Sequence, residues 1–224
     1  LEEFPGKQDE LRYVLTSILP ETSDSEFTWK DFQARVNNEL VAILGNFVNR
    51  VMVLSHKYFD GKVLMGTAFN DTDNAVFDEL AKYPALIEKS IADYRFREAL
   101  THFMSAARLG NKYLADEEPW KVIKTDEERV KTVLNVATQI VANLAILAQP
   151  FLPKTSDKLF EMLNLQKQGW DTAGKNSIIA KDAQLGEVQM LFEKITDEQV
   201  EAQLQKLADA KVANAAANSV VAPA

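Results

Sequence analysis

Between Phe32 and Tyr58 the apolar residues Phe32, Val36, Leu40, Leu44, Phe47, Val51, Leu54 and Tyr58 recur every three or four positions. A row with that period lies on one face of an α-helix, so the spacing predicts a single amphipathic rod of about thirty residues. Thr28 is placed to cap its start, with Asp31 in the first turn where the helix dipole favours acid. Asp60-Gly61 is placed to end it, the glycine supplying the left-handed stop. A stripe that long must be covered by other helices, which commits the chain to helix-on-helix packing.

The rest of the chain supplies those partners. A short helix is expected from about Asp9 to Leu19, followed by a polar connection over 20–26. The polar stretch Asn70 to Asn74 leads into a second helix running to about Asp93, with Pro84 set to kink or restart it. A third helix covers Tyr94 to Ala115 and ends in a loop holding Pro119-Trp120. Thr125-Asp-Glu-Glu128 reads as a capping box for a fourth helix to about Ala148. Pro150 and Pro153 close it, before a short helix over about Ser156 to Leu163. Residues 166–195 show no clear period and are expected to be irregular, with short extended pieces at 177–179 and 188–190. Thr196-Asp-Glu-Gln199 is a second capping box, opening a final helix to about Lys211. The Ala/Val/Asn-rich stretch 212–224 reads as a linker or disordered tail. The predicted fold is all-α: a helical bundle with an irregular segment and a closing C-terminal helix.

Charge restricts the partners. Net charge is −8, but residues 1–27 carry −5 and residues 171–224 carry −3, while 28–170 hold eighteen acids and eighteen bases. A neutral body offers phosphates no broad field, so any nucleic-acid contact must be local and directional. The chain has no cysteine, which removes disulfides and thiolate metal sites and fits a reducing cytosol. Its longest apolar runs read as too short to span a bilayer, and no membrane contact is expected. The two histidines, His56 and His102, sit inside helical pattern without metal-spaced partners. Asp116-Glu117-Glu118 reads as a solvated cluster, and nothing groups an acid, a base and a nucleophile, so no catalytic or metal residue is assigned.

Two features are poorly explained by packing alone. Gly45 in mid-rod costs about 0.5–1 kcal/mol relative to alanine, which suggests close approach of another backbone. Beside it, Asn46 and Arg50 are four apart and share a face. An amide and a guanidinium side by side present paired hydrogen-bonding groups in a plane, suited to base edges, although a solvated pair would show the same spacing. The second is Pro119-Trp120, whose indole can serve as a platform for an unstacked base or plug the end of the bundle.

Asp31-Phe32-Gln-Ala-Arg35-Val-Asn37-Asn-Glu-Leu40, continued by Leu44-Gly45-Asn46-Phe47-Val48-Asn49-Arg50, resembles the long helix of the methionyl-tRNA synthetase anticodon-binding domain. Asn111-Lys-Tyr113 with Glu118-Pro119-Trp120, Leu11-Arg12-Tyr13, and Pro150-Phe-Leu-Pro153 fit the same pattern, over about residues 9–165. Val36 departs from it, since relatives usually carry a polar or aromatic residue there. The resemblance implies a cytoplasmic anticodon-reading bundle in which Asn46 and Arg50 hydrogen-bond anticodon bases, Trp120 stacks on the first of them and Pro119 shapes its loop. It further implies that 1–27 connect from a catalytic half, 28–165 form the bundle, and 166–211 hold the irregular segment and closing helix. The family's nucleotide-binding signatures are absent, so the chain is expected to be a non-catalytic part of a longer ligase. No cofactor is expected within it; ATP, and zinc where it is used, would belong to the catalytic half. The expected partners are the anticodon loop of a methionine tRNA and that catalytic half, with no DNA. A helical protein–protein adaptor and the anticodon domain of another class I synthetase remain the alternatives.

Overall fold

The computed structural model describes residues 4–21 and 24–220. Its α-helices are α1 (Gln8–Ser17), α2 (Trp29–Arg35), α3 (Asn46–Phe59), α4 (Asp71–Leu80), α5 (Tyr83–Ala92), α6 (Phe96–Glu117), α7 (Pro119–Val122), α8 (Glu127–Leu147), α9 (Pro153–Met162) and α10 (Asp197–Val220). Among the described residues there is no strand, only an isolated bridge between Lys62 and Gln184. The all-α expectation holds.

The long rod forms, but it is not one α-helix. Thr28 caps it as expected, its Oγ1 accepting from the Asp31 N–H at 3.0 Å. Between α2 and α3 the ten residues Val36–Gly45 wind as a π-helix. Along this part of the rod Phe32, Val36, Leu40 and Leu44 recur strictly every four residues, and all four are buried. A four-residue repeat lies about midway between the α-helical period and the wider i→i+5 turn, so the row stays on the inner face through either winding. Val36, the departure from the family pattern, is fully buried in that row. Gly45 meets no foreign backbone: a Cβ there would lie 3.2 Å from the Leu40 carbonyl of its own π turn and 3.5 Å from the Phe192 ring. At the other end Asp60 itself takes the left-handed cap, with φ 50°, ahead of Gly61 at φ 74°.

α8 is the central element. From Val130 to Leu147 every residue but Lys131 is buried. Its length and composition would suffice to cross a membrane, contrary to the reading that no apolar run is long enough, but 94% of the apolar window is buried inside the protein. Here those residues form the core against which α3, α4, α6, α7 and α9 pack.

Other boundaries move for local reasons. Pro84 restarts rather than kinks, sitting in the first turn of α5 after α4 ends at Leu80. α6 begins at Phe96, because Tyr94 turns the chain with φ 58°. Asp126, not Thr125, caps α8, accepting from the Arg129 N–H at 2.9 Å, while Thr125 is still bonded back into the preceding turn. The Thr196–Gln199 capping box is present in both directions. α10 continues to Val220, where a linker or disordered tail was expected; alanine, the best helix former, dominates that stretch. Residues 221–224 of that expected tail lie outside the described residues.

The expected extended pieces at 177–179 and 188–190 form no strand. Buried amides of α8 take the place of a neighbouring strand. Gln139 accepts from the Ile178 and Ile179 N–H groups at 2.8 and 3.0 Å and donates to the Ile179 carbonyl at 2.7 Å. Asn143 accepts from the Gly174 N–H and donates to the Lys175 carbonyl. On the rod, Asn37 clamps Ile195 in the same reciprocal way, at 2.9 and 2.8 Å. Backbone groups that enter a core must find partners, and here side chains supply them.

Candidate nucleic-acid interface

Asn46 and Arg50 stand one turn apart on α3, the first exposed and the second half-buried. Asn46 donates from Nδ2 to the Ala42 carbonyl at 3.2 Å, and its own carbonyl oxygen accepts no hydrogen bond among the described residues. Trp120 arrives from a distant part of the chain. Its ring lies 4.7 Å from the Arg50 guanidinium carbon, a cation–π contact. Arg50 makes no ion pair or hydrogen bond among the described residues, so its N–H groups remain available while its plane is held over the indole. The structure therefore brings Arg50 and Trp120 into direct contact and sets Asn46 one helical turn away. Of the four residues singled out in the sequence, Pro119 alone is buried.

Trp120 does not sit in a loop, as expected, but on the single turn α7. Glu118 enters that turn with φ 41°, a left-handed conformation costly for a residue with a Cβ. Pro119 takes the first helical position, where its missing N–H is no loss and its fixed φ suits the turn. A half-buried indole between a core helix and open solvent is neither a sealed plug nor a free side chain.

Beneath α7 lies a network that sequence reasoning missed. Asp73, with 0% exposure, receives both terminal nitrogens of Arg129 at 2.6 and 2.8 Å and the Tyr113 hydroxyl at 2.6 Å. Arg129 also donates from Nε to Glu117 at 3.1 Å, an ion pair whose shortest N–O distance is 2.8 Å. Glu117 and Arg129 stand on either side of α7, so the pair closes the base of the excursion that carries Trp120. Glu117 is thus not part of a solvated acid cluster, and its neighbours Asp116 and Glu118 pair with Lys112 and Lys121. Sequence offered one clue, the Asn70–Asp73 capping box, which is fully formed at 2.9 and 3.0 Å. That box fixes Asp73 at the start of α4 but does not reveal Arg129 as its partner.

Burial alone would raise the Asp73 carboxyl, but the hydrogen bonds from Arg129, Tyr113 and the Asn70 N–H outweigh it and hold the group below its ordinary 3.8. A carboxylate depressed in the fold contributes stability above its unfolded pKa and loses it as pH falls through the folded value. Urea midpoints are therefore expected to fall steeply only at pH below about 4, and Asp73→Asn is expected to flatten that acid limb.

Among the described residues no three His, Asp or Glu side chains group as a metal site, and His56 is engaged with the Gly186 carbonyl at 2.9 Å.

Comparison with known proteins identifies the family of the chain. Residues 63–212 match the family model described as the anticodon binding domain of methionyl tRNA ligase, and residues 2–52 match the class I tRNA synthetase (M) model. The second match takes in Asn46 and Arg50 and the first takes in Trp120. The chain is 56% identical over 218 residues to the methionine–tRNA ligase of Phocaeicola vulgatus, covering 97% of this chain and 32% of that protein. It is 57% identical over 222 residues to the methionine–tRNA ligase of Christiangramia forsetii, covering 96% of this chain and again 32% of the relative. It therefore spans about a third of the length of these curated relatives. The fold matches that of apo methionyl-tRNA synthetase from Mycobacterium tuberculosis with a TM-score of 0.76, at 22% identity, over 84% of this chain and 39% of that one. On these grounds, the chain belongs to the methionine–tRNA ligase family and carries that family's anticodon-binding domain.

Proposed function

We propose that the chain reads the anticodon of a methionine tRNA by stacking an unpaired base on Trp120 while Asn46 and Arg50 hydrogen-bond base edges beside it. The observation that carries this reading is the guanidinium of Arg50 held 4.7 Å over the Trp120 ring, with its donors unspent. RNA loops expose both faces and edges of their bases, which suits an aromatic plane flanked by an amide and a guanidinium. Stacking with a few directional hydrogen bonds gives selectivity without a basic field, which fits a chain of net charge −8. The same convergence weighs against the adaptor reading.

The activation and transfer of methionine belong, in this reading, to the other two-thirds of the ligase, and this chain needs no cofactor of its own. A methionine tRNA anticodon stem-loop is expected to bind at least about tenfold more tightly than one altered only in the anticodon, the ~1.4 kcal/mol of one well-made hydrogen bond. Fluorescence titration measures this; equal affinities would remove base reading from the site.

A further inference from the structure

We propose that the outer face of α6 is a track for the RNA phosphodiester backbone, with Arg97 and Arg108 as its phosphate-binding residues. The inference rests on the reading of Asn46, Arg50 and Trp120 as the anticodon site, and it places the flanking strand relative to that site.

Arg97, Thr101, Ser105, Arg108 and Lys112 recur at intervals of four, four, three and four, so they form one row along α6, about 22 Å from end to end. Arg97, Thr101, Arg108 and Lys112 are exposed. Lys112 is ion-paired with Asp116 and contributes less. The side chains of Arg97 and Arg108 have no ion pair and no hydrogen bond among the described residues. Neither is neutralised by a neighbouring acid among them, so both are spare charges on the row.

They also face a polar cleft of about 450 Å³, between α1, the rod and α6, lined by Tyr13, Arg35, Glu39, Arg97, Thr101 and Arg108 among others. Three carboxylates border that cleft, and each already has a donor. Glu21 accepts the Arg97 backbone N–H at 2.9 Å, Glu39 accepts the Tyr13 hydroxyl, and Glu98 pairs with Arg95 at 3.0 Å. Glu98 and Glu39 also have cations of their own in Arg95 and, at 3.8 Å, Arg35, whereas Glu21 keeps its charge at the Arg97 end, so Arg108 is the more open of the two guanidinium groups to an outside anion.

The cleft and the site both lie along the rod. α6 packs closely on the rod: Asn111 donates to the Ile43 carbonyl at 2.9 Å, and Phe47 lies against Gly110, where a Cβ would overlap its ring. Along that seam the chain passes from Arg35, Glu39 and Arg108 through Ile43 and Phe47 to Arg50, and on the other side from Arg108 to the α7 turn with Trp120. A strand whose base is splayed onto Trp120 would carry its neighbouring phosphates back over Arg108 and then Arg97.

The test is the salt dependence of stem-loop binding by the 224-residue chain, for wild type, Arg97→Gln, Arg108→Gln and the double variant. Each lost phosphate contact is expected to reduce the slope of log K against log salt by about 0.7–0.9, so the double variant loses about 1.5. The ratio of affinities for cognate and anticodon-altered stem-loops is expected to stay unchanged. Trp120→Ala, run alongside, is expected to lower affinity while leaving the slope intact. If the double variant keeps the wild-type slope, the track is refuted whatever Trp120→Ala does. If the slope falls but neither Trp120→Ala nor the anticodon change matters, the track stands and the base-reading proposal falls.

Discussion

Arg129→Ala is expected to destabilise the fold by about 3–5 kcal/mol, a large share of the stability of any domain this size. The loss comes from what stays behind. Asp73 is fully buried, and Arg129 supplies two of the bonds that satisfy it, alongside the Tyr113 hydroxyl and the Asn70 N–H. Without the guanidinium a carboxylate sits in the core with its charge unanswered. Removing the charge should therefore restore much of the loss, and Arg129→Ala with Asp73→Asn is expected to be more stable than Arg129→Ala alone. Urea denaturation of the two single variants and the double variant measures the coupling. Additive losses would mean that the pair contributes nothing specific. Glu117→Gln cuts only the outer arm of the network, so it is expected to cost far less.

Trp120→Ala is expected to weaken binding of the methionine tRNA anticodon stem-loop roughly 5- to 150-fold, the ~1–3 kcal/mol of one base stacked on an aromatic ring. Folding should be nearly intact, because the indole is half-buried on a single turn held at its base by Glu117 and Arg129. Trp120→Phe should retain part of the affinity, since it keeps a flat ring but less area. Loss of the indole also frees Arg50 from its ring, so Arg50→Gln should cost less in the Trp120→Ala background than in wild type. Unchanged affinity of Trp120→Ala would rule out the stacking role, and full additivity would separate Arg50 from Trp120.

The helical part of this molecule was legible because its signal is local. Three-and-four spacing, the Thr28 cap, the Thr196–Gln199 box and the proline at α5 act over a few residues; the caps and the proline operate as read, and the spacing marks the rod but not its winding. The π-winding of Val36–Gly45 was less visible, since a strict four-residue repeat differs from helical spacing by a fraction of a residue per turn. The site residues were named through a family resemblance and two oddities of placement. Spacing alone left a solvated Asn/Arg pair and a plugging tryptophan open. It also could not show that Arg50 and Trp120, seventy positions apart, would touch.

The sequence by itself determined most of the helices, their caps and the absence of cysteine chemistry, because these follow from periodicity, end chemistry and composition along a short window. Only the tertiary structure decided which carboxylate answers Arg129, which amides hold 173–179 and Ile195 in place, and which guanidinium covers Trp120. The physical reason is that the helices fix each side chain's direction only on its own rod. Partners for a buried charge or a bare backbone group come from other rods, and packing of the whole core selects them.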